Sequence, residues 1–116
     1  MPMVRSIGGS EVTTGMLVPG SSYTVPINGM AKITMFSCVE CTGWNGSWSS
    51  SSTLTLLQNG ATVGSVGSSA SVPERDSSVG CNASTITLEV HEGDVFTASI
   101  STYLGHGSGR VSFSIY

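Results

Sequence analysis

Charge is what this sequence has least of. Asp, Glu, Lys and Arg make up 9% of its 116 residues, against about a quarter in a typical soluble domain. The four cations, Arg5, Lys32, Arg75 and Arg110, stand singly and form no basic stripe to neutralise phosphates, so no nucleic-acid partner is expected. No apolar run approaches the ~20 residues of a membrane-spanning helix, and no membrane partner is expected either. Helical periodicity is also missing: no apolar i, i+3, i+4, i+7 series is free of glycine and serine clusters. There is no internal repeat of solenoid length. The start, Met1-Pro2-Met3-Val4-Arg5-Ser6-Ile7, lacks the apolar stretch of a secretory signal. With Met1 as the natural start, the expectation is synthesis in a cytoplasm without a signal peptide.

In place of charge stand 22 serines, 12 threonines and 15 glycines. A mean hydropathy of +0.21 and regularly recurring apolar residues separate this composition from a disordered chain. The length fits one domain with one core. A surface with so few charges is weakly protected against association, which points to a surface partly hidden in an assembly. The plainer alternative is a Ser/Thr-rich β-domain of extracellular type.

Three cysteines, an odd number without a signal peptide, argue against a disulfide framework. Cys38 and Cys41 have zinc-ligand spacing, and Cys81 with His91 or His106 would complete a Cys3His set. There is no second close pair, and Cys38 ends an apolar run where a buried thiol packs well. Reduced, structural cysteines are the expectation, with a disulfide or a metal as alternatives.

Period-two alternation, the mark of a half-buried strand, is clearest towards the end of the chain. Ile86, Leu88 and Val90 alternate with Thr85, Thr87 and Glu89; Phe96, Ala98 and Ile100 with Thr97 and Ser99; Val111, Phe113 and Ile115 with Ser112 and Ser114. Asn59-Gly60 between two alternating runs is a strong hairpin signal, because both residues of such a turn take positive φ. Asn28-Gly29 is read as a second hairpin, joining Tyr23–Ile27 to Met30–Cys38. Glu40 to Ser52, with both tryptophans, reads as an irregular loop, and Gly67 to Ala83 as a long polar connection. Residues 1–10 form an extended segment or arm, and residues 11–116 a single domain. The expected fold is all-β: a compact antiparallel sandwich or jelly roll of about eight to ten short strands and no helices.

Motifs for catalysis are scarce. His91-Glu92-Gly93-Asp94 is the densest polar cluster, but glycine and an acidic residue between two strands describe a turn. His106 lies in a glycine-rich tip. Glu74 and Asp76 offer too few oxygens for calcium. Asn45-Gly46-Ser47 and Asn82-Ala83-Ser84 match the glycosylation pattern by chance in a serine-rich chain. No phosphate-binding glycine loop opens a helix, and neither His-Glu-x-x-His nor Gly-x-Ser-x-Gly occurs. Neither an enzyme activity nor a cofactor is expected.

The order of Tyr23-x-Val25-Pro26-x-x-Gly29, a strand, Asn59-Gly60, a polar loop, Ile86-x-Leu88-x-Val90-x-x-Gly93-Asp94-x-Phe96 and a closing Val111-x-Phe113-x-Ile115 resembles the C1q/TNF-like jelly roll over residues 15 to 116. Such domains are typically compact trimers, and similar small jelly rolls serve as phage capsid decoration (cement) proteins or fibre tips. The resemblance implies a homotrimer whose last strand, Phe113, Ile115 and Tyr116, lies at the threefold contact. The resemblance does not say what is bound; with the missing signal sequence, the low charge and the Ser/Thr/Gly richness, the expectation is a decoration protein bound to the major capsid protein on the outside of a virion. Met3, Val4 and Ile7 are then candidate partner contacts, in an arm that adds a strand to a neighbour's sheet. Trp44 and Trp48 are candidate contacts to a partner, or to a surface glycan if the chain is instead the receptor-binding tip of a fibre or spike.

Overall fold

A computed structural model describes residues 12–43, 48–73 and 76–116. They form eight strands and, among the described residues, no helix: β1 (Thr13–Leu17), β2 (Ser22–Thr24), β3 (Gly29–Thr42), β4 (Trp48–Gln58), β5 (Ala61–Val72), β6 (Ser77–Val90), β7 (Val95–Tyr103) and β8 (His106–Ile115). Two four-stranded antiparallel sheets, ordered β1-β8-β3-β6 and β2-β7-β4-β5, face each other. Successive strands alternate between the sheets except at the β4–β5 hairpin, which gives the eight-stranded jelly-roll order.

The core follows from the alternation. Ala31, Ile33 and Met35 of β3 and Val111, Phe113 and Ile115 of β8 lie side by side on the inner face of one sheet. Leu54 and Leu56 of β4, Val66 of β5 and Phe96 and Ala98 of β7 answer them from the other. Phe113 is the hub, with the Tyr23 ring stacked on it at 4.6 Å and the Phe96 ring tilted against it at 5.0 Å. Burying side chains of this size contributes about 1.5–3 kcal/mol each.

β3 and β6 run to 14 residues each, longer than the short strands expected. In β3 the excess is Val39-Glu40-Cys41-Thr42, and in β6 it is the serine-containing start from Ser77. Both stretches read as irregular are largely strand: Ser49–Ser52 lie in β4, and the polar connection from Gly67 is the end of β5 and the start of β6. Here the inward positions are Ser37, Ser50, Ser52 and Ser68 with Gly80, Gly107 and Gly109, so the sheets approach closely on small residues. A buried hydroxyl is costly unless bonded, and those of Ser37, Ser52 and Ser68 are bonded. Ser37 Oγ lies 2.9 Å from Ser68 Oγ, and the two lie 3.3 and 3.4 Å from the Ser52 carbonyl, so that one hydroxyl donates to the other and the second donates to the carbonyl.

Two further expectations are corrected. Asn28-Gly29 is not a hairpin: β2 pairs with β7 and β3 with β6 and β8, so the dipeptide carries the chain from one sheet to the other. Pro26 has no amide to extend a ladder, and Asn28 Oδ1 instead accepts the Glu92 amide at 2.7 Å. Nor are all the cysteines reduced: Cys38 and Cys81 form a disulfide. The β3–β6 register places them directly opposite each other on the outer face. Cys41, three residues on, falls on the inner face, where it is buried and free; in a strand that spacing separates two side chains rather than bringing them to one metal.

Candidate functional site

The two outer faces of the sandwich differ in chemistry. None of β2, β4, β5 and β7 carries a charged residue. On the outer face of their sheet the cross-strand rows are Ser49 and Ser71; Tyr103, Ser51 and Ser69; Ser101, Thr53 and Gly67; Ser99, Thr55 and Ser65; and Thr97, Leu57 and Thr62. This is a carpet of short hydroxyls, most of them exposed, with Tyr103 at its edge 67% exposed. Their strand spacing, about 4.8 Å across and 6.7 Å along, leaves no room for a deep pocket.

The opposite face is mixed. Arg110 lies over the Phe36 ring, 4.4 Å from its centroid, an arrangement worth about 0.5–1 kcal/mol on a surface. Beside this pair is a shallow depression of about 250 Å³, lined by Val18, Phe36, Cys38, Ser108, Gly109 and Arg110. A second, flatter one on the far side of Phe36 is lined by Cys81, Asn82 and Ala83. Met16, Val18, Met30, Val79 and Tyr116 are exposed around the same sheet.

His91-Glu92-Gly93-Asp94 is the turn between β6 and β7, with Gly93 at φ 94°. The Asp94 carboxylate accepts the His91 amide at 2.9 Å, Asn59 Nδ2 at 3.1 Å and Gln58 Nε2 at 3.0 Å. Asn59, at φ 52° in the β4–β5 turn, also exchanges backbone and side-chain bonds with Val95. Two turns distant in sequence are thereby clamped together. The His91 amide first, then the Asn59 side chain, holds the Asp94 carboxyl below the usual carboxylate range. Three donors leave this oxygen pair committed to structure.

Comparison with protein-family models and with curated proteins finds no match for this chain. Geometry therefore carries the functional argument.

The residues singled out from sequence fall in three places. Met3, Val4, Ile7 and Trp44 lie outside the described residues. Trp48 is not in a loop but begins β4, half-buried, opposite Val72 on the inward-facing side. Phe113 and Ile115, expected at a threefold contact, are 1% and 0% exposed inside the chain's own core, because β8 is an interior strand whose odd residues point inward. Of that trio only Tyr116, at 50%, presents area to another chain. His106 opens β8 and is exposed; the tip itself is Leu104-Gly105, both at positive φ. The hydroxyl carpet was missed, although the absence of charge from Thr42 to Val72 was its signal.

Proposed function

We propose that the chain is a virion structural protein of the C1q/TNF-like kind, a capsid decoration or cement protein that binds as a homotrimer to the outside of an assembled phage shell. The observation that carries this reading is the uncharged hydroxyl face of β2-β7-β4-β5. A free surface of that extent with no charge lacks the usual protection against association, whereas against another protein it leaves no ion to desolvate. The face is broad and flat, suited to a subunit junction rather than to a small ligand. Contact would be made with the major capsid protein, and the work is linkage: a protein that binds only the assembled shell stabilises it by mass action.

The test is sedimentation of the protein with undecorated shells of its phage. Saturable occupancy is expected, reduced at least tenfold by Ser51→Glu/Ser69→Glu, which places two charges side by side within the carpet. Absence of co-sedimentation would refute the reading. The second reading, a glycan-binding fibre or spike tip, is favoured by Tyr103, an exposed ring beside the Ser51 and Ser69 rows on which a sugar can stack. Glycan binding lost in Tyr103→Ala, with no binding to shells, would select it.

A further inference from the structure

The surroundings of the Cys38–Cys81 disulfide differ sharply between its two sulfurs. On the outer face the cross-strand row reads Ser108 of β8, Cys38 of β3 and Cys81 of β6. Cys38 is half-buried between its neighbours, whereas Cys81 is exposed on β6, the last strand of its sheet among the described residues. Met30 and Tyr116 exchange both backbone bonds, at 2.9 Å each, so the even-numbered residues of β3 spend their backbone groups on β8. By alternation the odd-numbered residues of β6, Cys81 among them, turn N–H and C=O away from β3 towards the edge. Two of these edge amides are already taken by side chains. Ser77 N–H donates to Asp76 Oδ1 at 2.8 Å, and Ala83 N–H to Asn82 Oδ1 at 3.0 Å, with Asn82 Nδ2 donating in turn to the Gly67 carbonyl. The window left between them runs from Val79 to Cys81, enough for a short peptide and too little for a long strand.

We propose that this window is a docking and exchange site for a small cysteinyl peptide thiol of the glutathione kind, which attacks Cys81 and releases Cys38. A cysteinyl residue that exchanges both backbone bonds with Cys81 stands about 5.5 Å away, Cα to Cα, inside the span of about 4.4–6.8 Å over which a disulfide forms. Its side chain falls on the same outer face. The row then reads Ser108, Cys38, Cys81 and the incoming cysteine, with the attacking sulfur on the far side of Cys81 from Cys38. The thiolate sulfur bonds to Cys81 Sγ, the Sγ–Sγ bond breaks, and its electron pair leaves with Cys38 Sγ, which takes a proton from water. One whole thiol molecule is added, and no oxidant or reductant is consumed. A second thiol that attacks the mixed disulfide leaves both cysteines reduced and carries the peptide away as its own disulfide.

The leaving side is also provided for. Cys38 and Arg110 line the same depression beside Phe36, with Ser108 directly across from Cys38. A guanidinium stabilises a neighbouring thiolate, and a better-stabilised thiolate leaves faster. Glu40, the next outward residue of β3, opposes this, and His106 faces Glu40 from β8. Cys41, on the inner face, takes no part because its thiol is buried. The site goes beyond the preceding reading and needs only the free chain.

In the test, the purified, oxidised protein is mixed with glutathione, quenched with iodoacetamide at intervals and mapped by mass spectrometry without reduction. The expected product carries one whole glutathione on Cys81 and an alkyl group on Cys38, with Cys41 unmodified. At equal thiolate concentration, glutathione should react at least about tenfold faster than 2-mercaptoethanol, which lacks the backbone groups. Glutathione N-methylated at its cysteinyl amide should lose that advantage. Arg110→Gln should slow both thiols, by about threefold or more, because it acts on the leaving sulfur. Glutathione on Cys38, equal rates for the two thiols, an unchanged rate in Arg110→Gln, or disulfide-linked dimers as the only product would each overturn the proposal. So would alkylation of Cys41 in step with Cys38, which marks exchange through unfolding. Shells play no part in this readout: bare shells leave the exchange site standing, and a disulfide inert to glutathione leaves the decoration reading untouched.

Discussion

Tyr23 is the residue at which the fold is least comfortable. Its ring stacks on Phe113 and covers Gly15, where any β-carbon would collide with it, yet its hydroxyl is buried with no hydrogen-bond partner. Burial also pushes its pKa upward. An unsatisfied buried hydroxyl costs about 1–3 kcal/mol. Tyr23→Phe should therefore raise the urea midpoint, by about 1 kcal/mol of stability, whereas Gly15→Ala should lower it. A drop in Tyr23→Phe would mean the hydroxyl has a partner. Asp94 is the opposite case, over-provided with donors. Its carboxyl is depressed in the folded state, so its contribution is complete above the unfolded carboxylate range and is lost as pH falls through the lower, folded value. Asp94→Asn should flatten that acid limb in pH-dependent melting; an unchanged limb would assign acid sensitivity elsewhere. Phe113→Asp, at the hub of the core, should unfold the chain itself, visible as lost near-ultraviolet circular dichroism; a folded variant would contradict the place of Phe113 in the core.

At the scale of elements, the edge strand β6 depends on β3 alone for its ladder, and the Cys38–Cys81 disulfide ties the two across 43 residues of chain. Closing a loop of that size contributes about 2–4 kcal/mol. A reductant should lower the denaturation midpoint accordingly, and Cys38→Ser/Cys81→Ser should reproduce the reduced value; equal midpoints with and without reductant would contradict this. The elements also show what a sequence can display. Asn59-Gly60, Gly93-Asp94 and the strands of Phe96 and Phe113 were readable because turn chemistry and alternation are local. The serine strands were not, since hydroxyls on both faces erase alternation, and Ser37, Ser52 and Ser68 satisfy one another only after three strands meet. The disulfide was hidden for a related reason: Cys38 and Cys81 meet only through the β3–β6 register. Alternation likewise gave Phe113 and Ile115 an apolar face without telling whether that face met the chain's own second sheet or another chain.

For the whole molecule, the division of labour between faces is the main result. Charge is confined to the β1-β8-β3-β6 sheet and to turns among the described residues, while the strands of the other sheet are uncharged and their outer face is mostly hydroxyls. The hydroxyl face is the proposed contact with the shell. The most direct measurement is cryo-electron microscopy of undecorated shells incubated with the purified protein. The account predicts threefold density on the outer surface, with the β2-β7-β4-β5 face turned towards the capsid subunits. Bare shells, or decoration with that face turned to solvent, would contradict it.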